Sequence, residues 1–165
     1  MNKSVSIQIK QEVELALENS FATTPKLIIG VSGGADSMAL LYLLKSLQIS
    51  GIVVHINYNQ RGKESQKDQE LVESLAFEWG YECCSIMLND YDKSKGNFQQ
   101  WARKQRYQIF EDLKKEFSAD GIAVAHHKDD QVETILYKMF RGAAPDTWTG
   151  MCMIENSIFR PLLNI

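Results

Sequence analysis

Apolar and polar positions along the chain switch repeatedly between two rhythms. Ile9, Val13, Ala16, Leu17 and Ser20 recur at helical spacing, which predicts an amphipathic opening helix. Pro25 separates it from Leu27-Ile28-Ile29-Gly30-Val31, an apolar run of the kind carried by a strand buried on both faces. Met38 to Leu47 returns to a helical pattern, and Gly51 precedes a second strand-like run, Ile52 to Ile56. Ser65 and Asp68 stand at capping-box spacing, with Asp in place of the usual Glu, ahead of a stripe of Leu71, Val72, Leu75 and Trp79. Tyr81 to Met87 reads as a third strand, and Gly121 to Ala125 as a fourth. Between them Phe98, Ala102, Gln105, Ile109, Leu113 and Phe117 mark one side of a long helix. Asp130 to Phe140 is a further helix, stopped by Arg141-Gly142, and beyond Pro145 only one strand, near Ile158, is indicated.

Strands that alternate with helices need crossover connections. The pattern therefore predicts one α/β domain, a doubly wound parallel sheet of five strands with helices on both faces. Ligands in such sheets sit beyond the carboxyl ends of the strands, where the strand order reverses. Two loops leave strand ends with unusual chemistry: Ser32 to Ser37, and His126 to Asp130. If the first and fourth strands are neighbours, both loops face one crevice.

The first loop reads Ser32-Gly33-Gly34-Ala35-Asp36-Ser37. Paired glycines let a backbone approach an anion closely, and the following helix aims its free N–H groups and positive end at that anion. Ser32 and Ser37 offer hydroxyl donors. Neither the Walker spacing nor the GxGxxG dinucleotide spacing is present. A plain strand–helix turn with Asp36 or Ser37 as N-cap is the competing explanation. In the second loop Asp130 and Glu133 lie three apart on one helix face. They could hold Mg²⁺, or an ammonium group, or simply favour the dipole of the helix they open. A zinc pair at His126-His127 is disfavoured, because adjacent side chains diverge and no cysteine is suitably spaced.

Composition narrows the class. The 165 residues carry a net charge of −3, so the molecule as a whole does not attract nucleic acid, although a local basic face is allowed. Three cysteines, two of them adjacent, do not form a disulfide framework and fit a reducing cytoplasm. No apolar run approaches the ~20 residues of a membrane-spanning helix.

The first loop resembles the SGGxDS PP-loop of the N-type ATP pyrophosphatases, enzymes that cleave ATP between its α and β phosphates and adenylate a substrate. His126-His127-Lys128-Asp129-Asp130-Gln131-Val132-Glu133-Thr134, with Arg141-Gly142, resembles the HxxDDQxET…RG signature of the tRNA(Ile)-lysidine synthetases. Val54-His55-Ile56-Asn57 with Arg61-Gly62 and Ser65, Ala102-Arg103 with Arg106-Tyr107, and Arg160-Pro161-Leu162-Leu163 resemble three more segments of that family. The likeness runs from about Leu27 to Leu163. It departs at Tyr58, where a histidine is common, at Gln60, where leucine is usual, and at Gln99, where the family is often acidic. Ala143 to Trp148 replaces a glycine-rich stretch, with only Gly150-Met151 kept. Ala35 differs from the lysine that some tRNA thiolases carry there.

The resemblance implies ATP and Mg²⁺ as cofactors, with free L-lysine and the isoleucine tRNA of CAU anticodon as partners, and it leaves open a homodimer. It implies that the C2 oxygen of the wobble cytidine attacks the α-phosphate, that pyrophosphate leaves, and that the lysine ε-amine then displaces AMP to give lysidine. By the same resemblance Ser32, Gly33, Gly34, Ala35, Asp36, Ser37 and His55 would meet the nucleotide. Asp36, Arg106, His126, Asp130 and Glu133 would serve the chemistry, with Asp130 on Mg²⁺ and Asp130, Glu133 and Arg103 on substrate. Lys93, Lys95, Arg103, Lys104 and Arg106 form the candidate basic face for tRNA. The chain is expected to be the catalytic domain alone, residues 1–165, without the family's C-terminal tRNA-binding domains. The competing functions are another PP-loop enzyme, such as a thiolase or amidotransferase, and a nucleotide-binding module without catalysis.

Overall fold

The computed structural model describes residues 3–89, 91 and 96–165. In chain order these form α1 (Lys3–Ser20), β1 (Lys26–Gly30), α2 (Ala35–Ser46), β2 (Ser50–Asn57), α3 (Lys63–Glu78) and β3 (Glu82–Met87). They continue as α4 (Phe98–Glu116), β4 (Gly121–Ala123), α5 (Lys128–Phe140), a 3-10 turn at Pro145–Thr147, β5 (Ile154–Glu155) and β6 (Ile158–Phe159). The sheet order is β3-β2-β1-β4-β6-β5. The first five strands in that order are mutually parallel. These are the five parallel strands expected.

The sixth, β5, is a two-residue antiparallel edge on β6. Its turn is Asn156-Ser157, with φ of 50° and 65°, the doubly left-handed conformation of a two-residue hairpin. That turn was not recognised in the sequence because serine is an uncommon occupant of it.

Alternate residues of the strands supply two cores. Leu27 and Ile29 join Val13 and Leu17 of α1, Leu40 and Leu44 of α2, and Val72 of α3 on one face. Ile28 joins Ile52, Val54, Ile122, Val124 and Phe110 of α4 on the other. Helices thus cover both faces, unevenly. Gly51 sits against the Leu27 carbonyl with no room for a β-carbon, which lets β2 lie close along β1.

Three local expectations shift. α3 starts at Lys63 behind Gly62, whose φ is 52°, rather than at a Ser65–Asp68 capping box. Ser65 Oγ instead accepts the Arg61 N–H at 3.2 Å, and Asp68 takes the Arg61 guanidinium at 2.7 Å. The buried line of α4 is centred on Ala102 and Phe110, one position on from Ile109, because Phe110 fills the space over Gly30. α5 begins two residues early, at Lys128, and buries none of its side chains.

All three cysteines are free; Cys83 and Cys84 are half-buried on β3, and Cys152 is exposed. Burial pushes both β3 thiols up from their ordinary acidity. Among the described residues no helix is long and apolar enough to cross a membrane.

Candidate functional site

β1 and β4 are hydrogen-bonded neighbours, in register from Leu27–Gly121 to Ile29–Ala123, so the chain reverses its direction of winding between them. The loops that leave their carboxyl ends therefore lie side by side. Between them opens a cavity of about 240 Å³. Ser32, Gly34, Asp36 and Ser37 form one wall and His126, His127 and Asp130 the opposite one. Val54, Ile56 and Val124 give an apolar floor, and Tyr58, Arg106, Tyr107 and Phe110 close the side. A slot of this kind accepts a flat base on its apolar part and phosphates on the helix N-terminus.

The first loop is held by its own hydroxyls. Ser37 Oγ donates to the Gly34 carbonyl at 2.9 Å and accepts the Ser32 N–H at 3.1 Å, while the Gly34 N–H donates to Ser32 Oγ at 3.3 Å. Ser37 is buried, so it anchors the turn and is not the surface group that its position in a loop implies. Gly33 has φ of 88°, and a β-carbon there would come within 2.8 Å of Asp68. Gly34, not Asp36 or Ser37, is the N-cap of α2 and carries no side-chain cap bond. The first-turn N–H groups of α2 are left for a ligand. Gly33 and Ala35 do not line the cavity.

His55, expected at the nucleotide, is buried beneath the loop with Nδ1 2.9 Å from the Val31 carbonyl. It borders a smaller neighbouring cavity that shares Ser32, Ile56, Tyr58 and Arg106 with the main one.

The second loop is built around two histidines. His127 is the N-cap of α5: Nδ1 accepts the Asp129 N–H at 3.3 Å, and its own N–H donates to Asp130 Oδ2 at 2.8 Å. Asp130 thus lines the cavity and also completes a reciprocal cap. Glu133, one turn on, is exposed and outside the lining, so the expected Asp130–Glu133 pair is not brought together within the cavity. The two carboxylates that do converge are Asp36 and Asp130, 3.7 and 3.6 Å from His127 Nε2. Sequence reasoning missed His127; its signal was its place directly before the acidic first turn of a helix.

His126 projects into the cavity, where burial pushes its imidazole down from 6.5 to about 4. Its Nδ1 is buried without a hydrogen-bond partner, as is Nε of the buried Arg160. The guanidinium of Arg160 reaches the Cys152 carbonyl through Nη1 at 2.9 Å.

On α4, Arg106 Nε donates to the Tyr58 hydroxyl at 3.2 Å and its guanidinium lies 5.7 Å over that ring. Tyr58 in turn donates to the Ala102 carbonyl at 3.1 Å. Tyr58, where a histidine was expected, therefore fixes Arg106 at the cavity edge. Arg103 is exposed and lies 5.0 Å over the Tyr107 ring. Trp101, half-buried, packs with Tyr58, Tyr91 and Phe98. Of the candidate basic face, Lys104 is exposed beside Arg103, and Lys93 and Lys95 lie outside the described residues.

The atypical loop after α5 is strapped to that helix. The Gln131 side-chain amide donates to the Met151 carbonyl at 2.9 Å and accepts the Met151 N–H, and Lys138 donates to the Thr149 carbonyl at 2.6 Å. The Gln131 side-chain amide lies directly against Gly150, where a β-carbon would displace it.

No group of three or more metal-binding side chains occurs among the described residues. Two carboxylates facing one cavity nevertheless fit Mg²⁺, which takes one or two carboxylates and fills its shell with phosphate oxygens and water.

Comparison with known proteins identifies relatives of the whole domain. Over 152 residues the chain is 40% identical to the tRNA(Ile)-lysidine synthase of Bacillus cereus, covering 84% of this chain and 32% of that protein. The protein of the same name from Bacteroides thetaiotaomicron is 36% identical over 154 residues, 90% of this chain and 35% of that one. The chain therefore spans about a third of the length of these curated relatives. Among solved structures, the U34-tRNA thiolase NcsA of Methanococcus maripaludis superposes with a TM-score of 0.79 at 20% identity, over 99% of this chain and 61% of that one. At that identity the likeness speaks for the fold alone. The family described as PP-loop domain matches residues 2–165, and the chain accordingly belongs to the PP-loop family of ATP-binding domains.

Proposed function

We propose that the chain is the ATP-using catalytic domain of a tRNA(Ile)-lysidine synthetase. It would join lysine to C2 of the wobble cytidine of the CAU-anticodon tRNA(Ile), releasing AMP and pyrophosphate. The observation that carries this reading is the 40% identity, across the PP-loop domain, to a curated relative of that name. The cavity supports it independently. The triphosphate would lie on the N-terminus of α2 against Ser32, Gly34, Asp36 and Ser37, with the base on Val54, Ile56, Phe110 and Val124. Most of the catalysis is positioning and charge stabilisation, because a phosphoanhydride already carries a good leaving group.

Asp36 and Asp130 are the residues that would hold Mg²⁺, whose charge would offset that of the phosphates. His126 is neutral at physiological pH and presents an uncharged imidazole to the reacting centre. Arg106, pinned by Tyr58, offers a fixed positive charge at the cavity edge. Glu133, exposed one turn on from Asp130, is the acidic group that would meet the lysine ammonium. Arg103 and Lys104 are the exposed cations for tRNA phosphate. In this reading the substrate is a tRNA, which the enzyme would meet in the cytoplasm.

The test is transfer of labelled lysine to CAU-anticodon tRNA with Mg-ATP, by this chain and by a version extended to the length of its relatives. Lysine-dependent product with the extended chain, weaker and strongly salt-sensitive with the 165 residues, is the expected result, since phosphate neutralisation dominates tRNA affinity and the net charge here is −3. Transfer of sulfur or ammonia in place of lysine would move the protein to another PP-loop activity. ATP binding without pyrophosphate exchange would make it a binding module.

A further inference from the structure

We infer that His127 is a positioning residue that ties the two loops of the cavity together, one imidazole spanning Asp36 of the first loop and Asp130 of α5. The geometry follows from the cap. Nδ1 accepts the Asp129 N–H, so in the neutral ring the proton sits on Nε2. Nε2 stands 3.7 Å from Asp36 Oδ2 and 3.6 Å from Asp130 Oδ2, a polar contact with each that is longer than a direct hydrogen bond.

The arrangement links elements that share little else. α2 is fixed by its buried leucines, whereas α5 buries no side chain, so the spacing between the two acidic groups depends on polar contacts across the cavity. His127 lines the cavity within 4 Å of both. Its role would be to set the separation of Asp36 and Asp130 before Mg-ATP arrives, and this functional part rests on the nucleotide reading above.

His127→Asn separates this role from capping. Asparagine is an equally good N-cap, but its side chain is too short to place a donor where Nε2 stands. Hydrogen exchange on the ligand-free chain gives the first readout. The amides of Ser32 and Met38, bonded to Ser37 Oγ and the Gly34 carbonyl, should exchange about threefold faster in His127→Asn, the scale of a partly exposed polar contact. Asp36→Asn, which leaves α5 untouched, should in turn speed exchange at Gln131, whose N–H is bonded to the His127 carbonyl. Changes confined to residues 128–131 in His127→Asn, with none in the first loop, would reduce His127 to a cap and overturn the inference.

Calorimetry with Mg-ATP gives the second readout. Affinity should fall roughly tenfold in His127→Asn, within the range of ordinary coupling between sites, while thermal stability holds. Wild-type affinity in that variant would overturn the inference. Should the unaltered chain bind no Mg-ATP, the nucleotide reading fails, and the exchange data still decide whether His127 couples the loops.

Discussion

Two strand-to-helix junctions face each other across the cavity, and they are built on opposite principles. The one from β1 into α2 runs into a helix that buries Ser37, Leu40, Leu41, Leu43 and Leu44, and its loop is closed by internal hydroxyl bonds. The one from β4 into α5 runs into a helix with no buried residue, and Val132, Leu136, Tyr137 and Phe140 stand exposed along it. There the fixing comes from the His127–Asp130 cap and from the Gln131 and Lys138 straps. The half suited to phosphates is thus locked by the hydrophobic core. The acidic half, suited to metal and substrate, is held by hydrogen bonds at the surface, so its geometry can be retuned without disturbing the core.

The sharpest way to break this comparison is to truncate a leucine in each helix. Leu44→Ala, at a fully buried site, should cost about 2–5 kcal/mol in urea unfolding, and Leu136→Ala on α5 no more than about 0.5 kcal/mol. Equal costs would mean that α5 is packed after all. Next comes the first loop itself. Ser37→Ala should lose about 1–3 kcal/mol, because it leaves the Ser32 N–H without its acceptor, and should weaken Mg-ATP binding as well. Asp36→Ala, at an exposed carboxylate, should weaken binding with a stability change within about 0.5 kcal/mol. Calorimetry alongside thermal melting separates the two effects. In the second loop, Asp130→Asn keeps an acceptor for the His127 N–H but removes the charge. Lysine transfer should be abolished at a stability cost of about 0.3–1 kcal/mol. Normal transfer in that variant would leave Asp130 as a cap only.

A pH slope in stability is expected as well. His126 stays neutral in the folded chain down to about pH 4, whereas the unfolded imidazole protonates near 6.5. Between those values the unfolded chain binds more protons, so stability falls as pH drops from 6.5 towards 4. Melting curves of His126→Gln should be flatter than wild type across that window.

What was readable in the sequence followed from strong local signals. The apolar runs, the glycine loop and the acidic first turn of α5 each specify their own conformation, and strand–helix alternation assembles them. What was not readable depends on distant partners. Phe110 was passed over for Ile109 because the choice is made by the empty space over Gly30, eighty residues earlier in the chain. His127 looked like half of an adjacent pair, and its reach to Asp36 exists only because β4 lies beside β1. Asp130 and Glu133 share a helix face in the sequence, yet the cavity meets only the first turn of that helix, which leaves Glu133 in solvent. The α3 capping box failed because Gly62, free to adopt positive φ, starts the helix earlier.

The placement of the three thiols has a practical use. Cys83 and Cys84 are half-buried with suppressed acidity, while Cys152 is exposed and its carbonyl receives Arg160 one residue beyond the Gln131 strap. Thiolates react and thiols do not, so a maleimide dye applied sparingly near neutral pH should mark Cys152 ahead of the pair on β3. A fluorophore at that point would sit where the post-helix loop is sewn to α5, and its emission would report, in real time and without mutation, whether the acidic half of the cavity shifts when nucleotide is added.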